Sequence, residues 1–473
     1  MERPSPSRGP KRGANAIRGW TGQATCTAGV LASGLRMEIP AALARATFPE
    51  PVLDVLRRLA GAGHRSWLVG GAVRDLLLAR ARTAADFDVA TPARPEEVMR
   101  LFPRVIPTGI EHGTVTVLAR GEPVEVTTFR GEGAYLDGRR PASVTFHSDL
   151  EADLSRRDFT MNALAFDPLG PELRDPFGGR VDLEARLIRA VGDPAARFGE
   201  DGLRPVRGVR FAAQLGFALE PATRAAIPAA LPVARKVAAE RITDELQKLL
   251  AGRYAAAALR LLRSTGLLSV VLPALWARPA RATVHAAAVL RHAPPDPGAR
   301  LAVALHPLGR EEAAAALAGL RLPRRTVDEA MALLRAYPCL RRGGAQALPS
   351  LAPASLRRWL AEVGPDRAEL LLGLAAAEAH ALPPGRRASA LAAVAALATQ
   401  IATVRRSSPP LSIAALALDG RAVGAATGGG PGPHVGEALR HLLDRVLDDP
   451  TLNEPEALRG ELARWWAARQ GRL

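Results

Sequence analysis

Two aspartates two residues apart, Asp86 and Asp88, interrupt the apolar run ADFDVAT over 85–91. Side chains alternate along a strand, so residues i and i+2 point the same way. Two carboxylates that close repel one another, and burial adds to the cost. Something positive between them, a divalent metal first, resolves the conflict, as does a wet surface. Such a pair suits nucleotidyl transfer, in which metal ions bridge carboxylates and triphosphate, activate an attacking hydroxyl and stabilise the leaving pyrophosphate. Glu125, in VEVTT, is either a third carboxylate from a neighbouring strand or a solvated edge charge.

Upstream stands GGAVRD, residues 70–75. A Gly-Gly pair between strand and helix lets backbone approach a ligand closely, and a helix start offers N–H groups to phosphate. Arg74, one turn into that helix, adds positive charge beside Gly71. Alone, the pair marks a turn; beside Asp86 and Asp88 it reads as a phosphate cradle.

The elements that must position these groups fall into two parts. PEPVLDVLRRLAGAG (49–63) has the pattern of an amphipathic helix, and SWLVGGAVRDLLLA reads as strand, turn and helix. ADFDVAT, GTVTVLA and EPVEVTTFR are strand-like in their β-branched alternation. Beyond about residue 185 the pattern is helical, broken at RHAPPDPGAR, RRSSPPLS and TGGGPGPHVG. An α+β head followed by a long helical body is expected, within a chain of 473 residues that can hold two to four domains. Cys26 and Cys339 are the only cysteines, which argues against a disulfide framework or a zinc–thiolate site. No run of eighteen uncharged apolar residues occurs, so no membrane span is expected and the chain reads as cytoplasmic.

The net charge of +16 points towards nucleic acid, but weakly. Lysine occurs only at Lys11, Lys236 and Lys248, so the charge is arginine in an Ala-, Gly- and Pro-rich background, as GC-rich coding produces. Residues 1–36 carry six basic side chains against Glu2 and have no hydrophobic period. They read as a basic disordered arm or as an over-extended gene start ahead of Met37.

VGGAVRDLLL and DFDVAT, followed by RRDFTMNALAFD (156–167), DPFGGRVDLEARLIRAVGDP (175–194) and EDGLRPVRGVRFAAQLGF (200–217), resemble the class II tRNA nucleotidyltransferases. That family includes CCA-adding enzymes and bacterial poly(A) polymerases. The resemblance implies a DNA polymerase beta-like head with a mixed sheet, then an all-α neck, body and tail. The boundaries expected are an arm over 1–44, head 45–185, neck 186–250, body 251–405 and an RNA-contacting tail over 406–473. It also implies Mg2+ at Asp86 and Asp88, CTP and ATP as substrates, and the acceptor arm of tRNA as partner.

Arg157 can hold phosphate and Asp158 can accept from a ribose hydroxyl; by resemblance they contact the nucleotide, and Asp158 can equally cap the next helix. Asp201, Arg204, Arg207 and Arg210 recur every three residues, placing neighbours on one helix face. Cytosine and adenine each present an amino donor beside a ring-nitrogen acceptor, which one carboxylate and one guanidinium can read without a template. The resemblance assigns that reading to Asp201 and Arg204, supported by Arg207 and Arg210. Gly202, Pro205 and Gly208 are poor helix residues, and Arg204 precedes proline, so the aim of Arg204 is less defined than its identity.

EHGTVTV (111–117) stands where poly(A) polymerases carry a basic string, and residues 131–142 resemble the loop that CCA- and A-adding members need. Full CCA addition is therefore expected, with A-only addition, poly(A) synthesis and an inactive RNA-binding scaffold as alternatives. His306 is followed by Pro307, where some relatives carry the His-Asp pair of a phosphohydrolase, with His285 and His292 upstream. A degenerate remnant, or simply helix-packing histidines, without metal is expected there. GPGPHVGEAL reads as a tRNA backbone contact or an interhelical linker, and Trp465 and Trp466 as helix packing. The oligomeric state is left open.

Overall fold

The alternation in TVTVLA becomes a strand whose Val115, Val117 and Ala119 point inwards, and its neighbours extend it into a mixed sheet. The computed structural model of the chain describes residues 39–80, 87–132, 144–336, 352–428, 430 and 432–470. In the sheet, β1 is Trp67–Val69, β2 Asp88–Thr91, β3 Val105–Gly109, β4 Thr114–Ala119 and β5 Glu122–Thr128. After a small ribbon of β6 (Arg130–Glu132) and β7 (Val144–Phe146) come β8, Ala165–Asp167, and β9, Glu172–Arg174. The strand order is β3-β4-β5-β2-β1-β8-β9. Only β2 and β5 run parallel; the other neighbours are antiparallel.

The register explains how distant motifs meet. Val69 at the end of β1 pairs with Asp88 at the start of β2, so the glycine turn and the carboxylate share one end of the sheet. Asp88 in turn lies opposite Glu125 on β5. On the other side Val69 pairs with Ala165, and Gly70 N–H donates to the Leu164 carbonyl at 3.2 Å, bringing in the RRDFTMNA segment.

Beyond the head the described chain is helical, apart from Leu187–Ile188, which pairs in parallel with Ala218–Leu219 inside the neck. The helix Arg204–Leu215 starts with Pro205 in its first turn, where a missing N–H costs nothing, and ends at Gly216 with φ +73°. It packs its Val206, Val209 and Ala213 face into a core that runs unbroken from the head through the body. Leu43, within the stretch expected as arm, is buried in that core, so the folded head begins before residue 45.

The tail closes around its own cluster, with Val423, Leu442, Val446 and Leu458 at its centre and Trp465 packed against it, as expected for that residue. Arg357 ties the tail on: its guanidinium donates to the Leu447 and Asp448 carbonyls at 2.7 and 2.6 Å, at the C-terminus of the helix Pro433–Asp448. The helix Pro384–Arg406 is long and apolar enough to cross a membrane by length and composition, a feature absent from the sequence reading. It carries Leu397, Ile401 and Val404 in a shared cluster with Leu356 and Leu360.

Candidate active site

Gly70 has φ +70° and ψ −130°, a conformation that favours glycine, and a Cβ there would lie 2.8 Å from Arg157 Nη1. The turn is glycine because this backbone conformation strains any other residue, and the Arg157 guanidinium rests against it. Around this turn, between sheet end and neck, opens a cavity of about 1030 Å³. Of the eleven residues proposed from sequence for this site, nine line it: Gly71, Arg74, Asp88, Arg157, Asp158, Asp201, Arg204, Arg207 and Arg210; Glu125 does not. Asp86 lies outside the described residues, as does most of the 131–142 loop. Ten basic side chains face five acidic ones across the cavity, a balance suited to a polyanion.

A continuous hydrogen-bonded chain of side chains joins head to neck. Arg74 donates to Asn162 at 2.6 Å and to Asp75 at 2.8 Å. Asn162 donates to Asp158 at 2.9 Å, and Asp158 accepts from Arg207 at 2.8 Å. Arg207 lies 3.8 Å from Glu245, which accepts from Arg210 at 2.7 Å. Burial by itself would raise the Asp158 carboxyl; the Arg207 guanidinium, with hydrogen bonds from Asn162, Arg207 and the Phe159 N–H, outweighs it and holds the group at about 2. Burial lowers Arg74 to about 10, with Arg80 and Arg207 adding repulsion against the pull of Asp158. Asp158 also caps nothing in the strict sense: the following turn, Thr160–Asn162, has Phe159 at its N-cap and no side-chain cap.

Phe211 floors this network. The guanidinium of Arg210 sits 3.5 Å from its ring centroid, that of Arg74 5.0 Å and that of Arg207 5.7 Å. Each such contact adds roughly 0.5–2 kcal/mol, more when water is excluded. Buried Asp153, missed from sequence, holds both Arg156 and Arg157, at 2.7 and 3.1 Å.

The expected single helix face needs one correction. Arg204, Arg207 and Arg210 share the helix, but Asp201 has extended backbone (φ −140°, ψ 112°) and precedes it. Pro205 has no N–H for the Asp201 carbonyl four residues back, and the helix starts at Arg204, so Asp201 belongs to the turn between two helices. Its carboxylate accepts from the Leu203 N–H at 2.9 Å and from Arg241 at 2.7 Å. Arg204 is buried and donates to the carbonyls of Arg197 and Arg156, both at 3.1 Å, and to the Glu200 carboxylate. Arg241, Glu245 and Lys248 were not anticipated. Their i, i+4, i+7 spacing opposite Ile242, Leu246 and Leu249 was the available signal, and it reads equally as an ordinary solvated face.

For a metal, the donors on view are carboxylate oxygens. Asp88 is half-buried; Glu125, in register beside it, keeps an exposed side chain, and partial desolvation with the Asp88 charge raises its pKa above the ordinary value against the pull of Arg130. Two adjacent carboxylates form a hard-oxygen donor set that a small divalent cation suits.

Comparison with known proteins agrees with this architecture. The family described as Poly A polymerase head domain matches residues 66–189, and that described as Probable RNA and SrmB- binding site of polymerase A matches 216–278. A CCA-adding enzyme of Geobacillus thermodenitrificans is 46% identical over 316 residues, 66% of this chain and 76% of the relative. One from Geobacillus kaustophilus is 41% identical over 409 residues, 86% of this chain and 95% of the relative. The crystal structure of the Bacillus stearothermophilus CCA-adding enzyme in complex with CTP superposes with a TM-score of 0.72 at 34% identity, covering 90% of this chain and 99% of that one. A relative 41% identical over 86% of this chain and 95% of its own length shows the family: the chain belongs to the CCA-adding enzymes, the class II tRNA nucleotidyltransferases.

Proposed function

We propose that the protein adds CCA to tRNA 3′ ends from CTP and ATP, releasing pyrophosphate. One observation carries the reading: in a member of this family, a carboxylate on a strand end, a glycine turn under arginines and an Asp–Arg pair line a single cleft. The RNA 3′-hydroxyl attacks the α-phosphate in line as pyrophosphate departs.

The family's chemistry depends on a divalent cation, which we assign as Mg2+ held by Asp88 and Asp86, with Glu125 alongside. When bound, it stabilises charge on the triphosphate and eases deprotonation of the hydroxyl. Gly71, Arg74 and Arg157 take the phosphates. Asp158, already fixed by three donors and ionised at any working pH, has lone pairs left to accept from a ribose hydroxyl. Asp201 accepts the exocyclic amino group of C or A while Arg241 keeps it oriented, and Arg204 donates to the ring nitrogen. Uracil and guanine present a carbonyl and an N–H at those positions, so both contacts fail and buried groups are left unpaired. Arg207 and Arg210 hold the floor of the site. The helical C-terminal half binds the acceptor arm through backbone charge and shape, with little sequence readout. Such substrates make the cytoplasm the place of work.

The test is extension of three tRNA substrates, ending at the discriminator base, in C, or in CC, with CTP and ATP together and apart, and products sized to the nucleotide. Growth from the bare discriminator to CCA and no further is expected. Extension of the CC-ended substrate alone would make it an A-adding enzyme, and long A tails a poly(A) polymerase.

A further inference from the structure

We propose that His285, His306 and Glu378 form a binding site for one zinc-type divalent transition-metal ion in the helical body, outside the nucleotide cleft. Three elements bring them together. His285 lies in the helix Ala280–Leu290, His306 caps the C-terminus of the helix Pro297–Leu305, and Glu378 belongs to the helix Pro365–Ala381. Pro307 removes the aspartate that sequence reasoning sought beside His306. The fold supplies a carboxylate from a remote helix instead.

The spacing fits an ion. His285 Nε2 is 3.2 Å from Glu378 Oε2, His306 Nε2 is 3.7 Å from Glu378 Oε1, and one ligand atom from each residue lies within 4.8 Å of the others. A tetrahedral ion with bonds of about 2.0–2.2 Å sets its ligands roughly 3.3–3.6 Å apart. The two histidine–carboxylate distances, one to each oxygen of Glu378, lie close to that range.

The tautomer points the same way. His306 Nδ1 lies 2.6 Å from the Val303 carbonyl oxygen, which can only accept, so Nδ1 carries the proton. In the neutral ring the Nε2 lone pair then faces the Glu378 carboxylate, in a position where His306 is 3% exposed. A cation placed between Nε2 and the carboxylate would engage the lone pairs of both. A carbonyl on the far nitrogen is how metal-ligating histidines are commonly oriented. Two imidazole nitrogens and one carboxylate oxygen favour Zn2+ and its late first-row neighbours over Mg2+. His285, with its side chain 44% exposed, leaves the fourth position accessible to water.

The test uses the full-length protein with Asp86→Asn and Asp88→Asn in every sample, so that the head's carboxylates cannot account for the signal. After chelation, Co2+ and Zn2+ are titrated and followed by visible absorption and calorimetry. One equivalent per chain is expected, with the intense visible bands of four-coordinate Co2+. His285→Asn and Glu378→Gln should each weaken binding by more than the roughly 10–100-fold that loss of a supporting hydrogen bond costs. Circular dichroism would verify that both variants fold; His285 is exposed enough for its change to be tolerated. Absence of saturable binding would overturn the proposal. Unchanged affinity in both variants would overturn it equally, by placing the ion elsewhere.

Discussion

A buried carboxylate stays ionised only where its neighbours outweigh the loss of water, and Asp158 meets that condition through Arg207, Asn162 and the Phe159 N–H. Its folded pKa of about 2 lies below the ordinary 3.8, so the stabilisation is complete above about pH 4 and disappears as pH falls towards 2. The shift corresponds to about 2 kcal/mol. Asp158→Asn should therefore lose at least that much stability at neutral pH and show a shallower acid limb, measurable by urea unfolding at a series of pH values. At the reacting centre, alanine at both Asp86 and Asp88 should cut transfer by about a thousandfold or more, equivalent to about 4 kcal/mol, while tRNA binding by gel shift persists. Surviving activity in that variant would remove the metal assignment. Arg241→Ala separates aim from chemistry. With Asp201 no longer held at 2.7 Å, misincorporation of UTP and GTP relative to CTP should rise by about tenfold, read from single-nucleotide extension.

At the scale of elements, the two glycines flanking Asp201 make opposite demands. A Cβ on Gly202 would lie 2.6 Å from the backbone of Val233 and Ala234, whereas one on Gly199 meets nothing within 4 Å. Gly202→Ala should destabilise by about 1–3 kcal/mol through overpacking, and should disturb base selection by moving the turn. Gly199→Ala, in the helix Pro194–Glu200, should be neutral or stabilising by up to about 1 kcal/mol. Thermal unfolding of the pair, set against their CTP and UTP incorporation ratios, checks both. Elements with a clean period were legible in the sequence: the helix over 50–61, β1 with its glycine turn, and β4 and β5 emerge where the patterns placed them. The three-residue charge period runs one step past the helix to Asp201, because charge spacing does not mark where the backbone leaves the helix. Arg241 and Glu245 escaped notice because a charged helix face carries no mark of what it turns towards.

The whole molecule is a head and body sharing one core, with a tail built on its own cluster and tied by Arg357. Deleting residues 406–473 should therefore leave CTP binding at the head while weakening tRNA binding. The slope of log affinity against log salt should also become shallower, by about one for each phosphate that the tail neutralises in the intact protein. An unchanged slope would mean the tail touches no RNA backbone. At this scale the sequence was least informative. Order along the chain announced head, neck, body and tail by resemblance, but no spacing announces that His285, His306 and Glu378 meet, because long-range packing brings them together.

The Asp201 carboxylate owes its direction to a turn entering one helix and to an arginine from another, Arg204–Leu215 and Ala239–Ala251. A polymerase that copies a strand takes its accuracy from a duplex. Here the reading edge is assigned to folded protein, so accuracy acquires a melting curve of its own. Warming that loosens the seam between those helices should blur the choice of base before it stops synthesis, and the error rate then becomes a thermometer of local packing.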